Sequence, residues 1–120
     1  MISCLIIAHG KMARGLINAA SVIVGEQEGV YLLSNSEYSL DTLKTEIRKV
    51  LENAGECIIF VDCLGSSYAA ARMASGGWPV VSGINLPMLL SFFTKRERMG
   101  LEELLEAVLT DGKKGILFKR

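Results

Sequence analysis

Neither sign of charge is in excess in this sequence. Thirteen lysines and arginines balance thirteen aspartates and glutamates over 120 residues, so no overall field exists to hold a nucleic-acid backbone by counterion release. Nucleic acid is not expected as a partner. Long apolar runs are also missing: none approaches the ~20 residues that a bilayer span requires. The start, Met1 to Ala8, enters an apolar segment directly, without the basic flank and small-residue cleavage site of a secretory signal, and a cytoplasmic protein is expected. Cysteine is scarce. Cys4, Cys57 and Cys63 form neither a CxxC pair nor the spacing of a zinc site, and an odd number does not complete a disulfide framework. They read as plain buried thiols, and no metal or cofactor is expected. Histidine is scarcer still, with His9 the single imidazole of the chain.

What is present is the composition of a folded domain. Half of the residues are apolar and 22% are charged, a globular balance. A chain of this length suits one core, and residues 1–120 read as a single domain without linker, repeat or low-complexity tract. Ile2 to Ala8 is an isoleucine-rich run closed by His9 and Gly10, as suits a strand buried on both faces. Lys11 to Val24 has helical spacing, with Met12, Leu16, Ala20 and Ile23 expected inward. Val30 to Leu33 reads as a second strand. From Ser39 or Asp41 to Asn53 a second helix carries Leu40, Leu43, Ile47, Val50 and Leu51 inward, and Gly55 stands where helices commonly stop.

The alternation continues. Cys57 to Val61 is a third strand ending at Asp62, and Leu64 to Ser67 leads into an alanine-rich helix through Ser75, broken by Gly76 and Gly77. Pro79 to Ser82 is a fourth strand. A helix with proline near its start follows Leu86-Pro87. From Leu101 a leucine stripe opposes Glu102, Glu103 and Glu106, with Gly112 expected to close that helix and Gly115 to Lys119 to form a last short strand. The fold class is therefore α/β, a mostly parallel, doubly wound sheet of order 2-1-3-4, with a short C-terminal edge strand. Ligands of such sheets bind beyond the carboxyl ends of the strands where the order reverses. His9 and Asp62 end the two strands that flank that reversal.

A neutral imidazole nitrogen is a nucleophile near pH 7 and a serviceable leaving group afterwards, which suits a transient phosphoryl carrier. A carboxylate on the other ring nitrogen fixes the tautomer and stabilises the developing positive charge. His9 and Asp62 are the candidate catalytic pair. Gly10 and the turn Leu64-Gly65-Ser66-Ser67, at a helix N-terminus, are the candidate phosphate-binding groups, through backbone N–H and serine hydroxyls. A histidine ending a strand can also be purely structural, an aspartate there can be an N-cap, and glycines and serines can simply make a turn. The conjunction of all three at one crevice is what points to chemistry.

The segments Ile6-Ile7-Ala8-His9-Gly10, Val24-Gly25-Glu26-Gln27-Glu28, Phe60-Val61-Asp62 with Gly65-Ser66-Ser67, and Gly83-Ile84-Asn85-Leu86-Pro87-Met88-Leu89 together resemble the mannose-type enzyme IIA domains of the bacterial sugar phosphotransferase system. The resemblance implies that His9 is the phosphorylated histidine, Asp62 its orienting carboxylate and Ser67 the serine near the phosphate. It implies a histidine-containing phosphocarrier protein as donor and an enzyme IIB as acceptor. It also implies a homodimer in which the final strand, antiparallel at the sheet edge, is exchanged between subunits. Two departures stand out: Ala8 replaces the threonine or serine often found before the histidine, and Gly65-Ser66-Ser67-Tyr68 replaces a usual Gly-Gly-Ser-Pro. The competing readings are a phosphotransfer subunit for dihydroxyacetone kinase, whose relatives usually carry serine where Gly10 stands, and a regulatory binding module that reports sugar supply. A small hydrolase using His9 as base lacks a Gly-x-Ser-x-Gly nucleophile elbow.

Overall fold

A computed structural model describes residues 1–120. Its elements run β1 (Ser3–Ala8), α1 (Met12–Val24), β2 (Val30–Ser34), a 3-10 turn (Asn35–Glu37), α2 (Leu40–Ala54), β3 (Cys57–Val61), α3 (Ser66–Ala74), β4 (Val80–Ser82), α4 (Leu86–Lys95) and α5 (Leu101–Lys114). The four strands form one parallel sheet in the order β2-β1-β3-β4, the expected topology. No helix is long and apolar enough to cross a membrane.

The period-two geometry of the strands divides the interior into two layers. Cys4, Ile6, Ala8, Ile58 and Phe60 face α1, α4 and α5, while Leu5, Ile7, Ile59 and Val61 face α2 and α3. Both central strands are therefore buried on both faces, which explains their unbroken apolar runs. Ser39 caps α2 by accepting the Thr42 N–H at 3.2 Å. Asn85 caps α4 by accepting the Met88 N–H at 2.9 Å, and it donates to the Gly112 carbonyl of α5 at 3.1 Å.

Five expectations are corrected. Cys63, in the turn after β3, is exposed and not a buried thiol. In α1 the inward stripe is Ala13, Leu16, Ile17, Ala20 and Val24, whereas Met12 and Ile23 are exposed. The two alanines let the helix lie close to the sheet, and this rotates the stripe away from the larger side chains. Leu40 is also exposed, because at the first turn of α2 it lies beyond the reach of the sheet. Gly112 does not end α5, which continues to Lys114. A Cβ on Gly112 would lie 2.7 Å from Met88 Cε, so this glycine serves the close approach of α5 to α4. Finally, Gly115 to Lys119 is not a strand. Lys113 and Lys114 support the carboxyl end of α5, and the chain then leaves with no strand beside it, leaving Ile116, Leu117 and Phe118 exposed.

The amino-terminal end of the sheet is closed by a cation. Arg96, at the end of α4, is 4% exposed. Its guanidinium donates to the Ile2 carbonyl at 3.1 Å, to the Glu28 carbonyl at 2.8 Å and to Gln27 Oε1 at 3.0 Å. It also lies 5.5 and 5.2 Å from the ring centres of Phe92 and Phe93. One side chain thus joins β1, the α1–β2 connection and α4. Arg96→Met keeps an apolar stem but strands two carbonyls, and it is expected to lower the unfolding free energy by about 2–4 kcal/mol. Urea denaturation with an unchanged midpoint would show that the anchor contributes nothing.

Candidate active site

Parallel pairing of β1 with β3 places Ile7 opposite Val61, so the residues that leave the two strands meet at the carboxyl edge of the sheet. His9 and Asp62 meet there, 53 positions apart in the chain. Asp62 Oδ2 lies 2.6 Å from His9 Nδ1 and accepts the His9 backbone N–H at 2.9 Å. Its Oδ1 accepts the Cys63 N–H at 3.0 Å. A carboxylate can only accept, so Nδ1 carries the proton and Nε2 presents a lone pair. The two side chains differ in access: the Asp62 side chain is 8% exposed and that of His9 54%. The pair thus consists of a fixed carboxylate and an imidazole open to an incoming group.

Gly10 has φ +57°, the left-handed region that glycine occupies without strain, and this turns the chain sharply after His9. Its N–H donates to Ser36 Oγ at 2.9 Å and its carbonyl accepts from Ser34 Oγ at 3.0 Å. The Gly65 N–H is also occupied, donating to the Cys63 carbonyl at 2.9 Å. Leu64 projects into solvent. Ser66 and Ser67 begin α3 behind an N-cap glycine that offers no capping side chain, so their backbone N–H groups have no intrahelical acceptor. Ser66 Oγ and Ser67 Oγ each receive a hydrogen bond from Asn35 Nδ2 at 2.8 Å, and the same nitrogen lies 3.3 Å from His9 Nε2.

The sequence reading missed Ser34, Asn35 and Ser36. A signal was there: this polar run ends the strand next to β1 on its other side, at the same edge that singled out His9 and Asp62. Donor atoms of His9, Asp62 and Cys63 fall within 4.8 Å of one another, a set that a thiophilic divalent ion could use. Both carboxylate oxygens already serve the three donors described above, so an ion would have to displace the imidazole from Asp62.

Burial raises the Asp62 carboxyl, but the ring and backbone N–H of His9, the imidazole charge and the Cys63 N–H together outweigh it and hold the group below its ordinary value of 3.8. A carboxyl lowered by folding adds stability at pH above that ordinary value, and the contribution is lost as pH falls through the lower, folded value. The stability difference between wild type and Asp62→Asn is therefore expected to be full above about pH 4 and to vanish at lower pH. Urea unfolding across that range checks this, and a difference that does not change with pH would contradict it.

The geometry can be set beside known proteins. A family model described as the PTS system fructose IIA component, EIIA-man, matches residues 3–109. The mannose-specific EIIAB component of the phosphotransferase system of Escherichia coli strain K12 is 27% identical over 125 aligned positions. That alignment covers 96% of this chain and 38% of the relative, so the chain spans well under half the length of that protein. Among solved structures, phosphotransferase system component EIIA from Streptococcus agalactiae superposes with a TM-score of 0.91 at 25% identity, covering 98% of this chain and 97% of that one. The mannose/sorbose specific IIA subunit from Enterococcus faecalis shares the fold, with a TM-score of 0.84 at 23% identity over 98% and 94% of the two chains. With nearly its whole length matched, the chain belongs to the EIIA-man family, the fructose- and mannose-type IIA components of the sugar phosphotransferase system.

Proposed function

We propose that this protein is a phosphoryl carrier that accepts phosphate on His9 Nε2 from a histidine-containing phosphocarrier protein and passes it to an enzyme IIB in the cytoplasm. The observation that carries this reading is the division of labour in the imidazole. Nδ1 is held by Asp62 at 2.6 Å, while Nε2 keeps its lone pair on a half-exposed ring, 3.3 Å from the Asn35 amide nitrogen that also holds the Ser66 and Ser67 hydroxyls at the open N-terminus of α3. The Nε2 lone pair attacks phosphorus as the donor's nitrogen–phosphorus bond breaks and its electron pair returns to the donor. Asp62 stabilises the positive charge that the ring then carries. Transfer onward reverses these steps. Because phosphoryl transfer is largely positioning and electrostatic stabilisation, no further reacting group is required of the chain.

The family placement and the agreement in fold support the same reading, and with it a homodimer. The apolar tail Ile116-Leu117-Phe118 is exposed, and β4 is an edge strand with one side unpaired. A second copy's tail would gain a ladder there and bury its side chains. Sedimentation is expected to show a dimer, weakened by deletion of Ile116 to Arg120. A wild-type monomer at high concentration would reject this assembly.

Incubation with phosphoenolpyruvate, its upstream kinase and the phosphocarrier protein should add one phosphoryl group to wild type and none to His9→Ala. The linkage should be lost in acid and survive base. Asp62→Asn should slow transfer by about ten- to ten-thousandfold, the upper end being the value for hydrolytic triads. Retained labelling of folded His9→Ala would move the phosphate to a serine and overturn the assignment.

A further inference from the structure

Asn35 opens the 3-10 turn after β2, and its side-chain nitrogen meets three polar atoms at once: Ser66 Oγ and Ser67 Oγ at 2.8 Å, and His9 Nε2 at 3.3 Å. With the ring proton on Nδ1 against Asp62, Nε2 offers only a lone pair, so the nitrogen of the amide, and not its oxygen, must face it. An amide nitrogen carries two N–H bonds. Three acceptors share them, and the longest and weakest contact is the one to Nε2.

We infer that Asn35 is a phosphoryl-binding group of this site: its amide rests weakly on the His9 Nε2 lone pair in the free protein and donates to a phosphoryl oxygen once phosphorus occupies Nε2. The inference rests on the carrier reading above. When Nε2 uses its lone pair to bond phosphorus, the N–H···N contact is necessarily lost: phosphorus takes the direction of the lone pair, the amide turns aside, and the oxygens around phosphorus come within its reach. A charge-assisted N–H···O bond is roughly twice as strong as a neutral one. Asn35 therefore binds the phosphorylated site better than the free one, which is the condition for a group that promotes the step.

The same amide prepares the two serines. Each hydroxyl that accepts from Nδ2 keeps its own O–H free to donate, and Ser67, a fully buried residue, has its oxygen fixed in this way. The segment that carries Asn35 is clamped to the histidine loop on both sides of it, through Ser34 Oγ to the Gly10 carbonyl and from the Gly10 N–H to Ser36 Oγ. The backbone at Asn35 is thus held beside the histidine loop, while its side chain can turn from Nε2 to an oxygen on phosphorus.

Phosphoramidate, a small phosphoryl donor that needs no protein docking, tests the inference directly. Labelling of His9 and the lifetime of the phosphohistidine are followed by phosphorus NMR in wild type, Asn35→Ala and the isosteric Asn35→Asp. Asn35→Ala is expected to label about ten- to hundredfold more slowly. Asn35→Asp should be slower still, because a carboxylate repels the phosphoryl oxygens. In Asn35→Ala the His9 Nδ1–H proton resonance should keep close to its wild-type position, whereas displacement of the imidazole would move it. Labelling of both variants at the wild-type rate, or an Nδ1–H resonance of Asn35→Ala shifted as by loss of the Asp62 contact, would overturn the role given to Asn35. A wild type that takes no label on His9 would instead overturn the carrier reading itself.

Discussion

The parallel pairing of β1 with β3 is the constraint on which the rest of this molecule depends. Each strand is buried on both faces, so its register is held by packing from above and below as well as by the ladder between them. A slip of one residue would move every side chain to the wrong layer and would also separate His9 from Asp62. The 2.6 Å contact between imidazole and carboxylate is thus maintained by some of the most deeply buried part of the chain, although His9 itself is exposed.

The two ends of the sheet are treated in opposite ways. At the amino end, a nearly buried Arg96 satisfies carbonyls from β1 and from the connection into β2 and packs on two phenylalanine rings. These hydrogen bonds offset part of its cost of desolvation, although its Nε is buried without a hydrogen-bond partner. Gly29, with φ +68°, lies beside this anchor, and an added Cβ would come within 3.1 Å of Ser3 Oγ and 3.4 Å of the guanidinium. At the carboxyl end, polar groups are gathered without being fully satisfied. The N–H groups that begin α3 have no capping side chain, and three acceptors compete for the Asn35 amide. A closed end gives rigidity, and an end with spare donors can receive an anion.

The segment Asn85-Leu86-Pro87-Met88 shows how a family signature can be structural. Asn85 caps α4 and ties it to α5, Pro87 stands in the first turn where no N–H is needed, and Met88 fills the space against Gly112. Asn85 makes its hydrogen bonds to α4 and α5, and none to His9 or Asp62. Their effect is to fix α5, and so to set where the apolar tail leaves the domain.

Much of this was legible in the sequence because it depends on local periodicity. The unbroken runs Ile2 to Ala8 and Cys57 to Val61 are double-faced strands, the turns at Gly10 and Gly55 need positive φ, and alternation of strands with helices leaves few topologies. The topology in turn picked out His9 and Asp62 by their place at strand ends. Other features required the tertiary structure. Gly112 looked like a helix stop because local propensity is blind to Met88 on another helix, and Met12 and Ile23 looked buried because two alanines leave almost no hydrophobic signal of their own. Gly115 to Lys119 has the composition of a strand, but a strand exists only where the chain lies along another, and after α5 the tail does not come to lie beside the free edge of β4. The contacts of Asn35, though not its place at a strand end, were hidden for the same kind of reason. Its partners lie 26, 31 and 32 residues away, and only the closing of the sheet brings one amide within reach of two serines and the histidine.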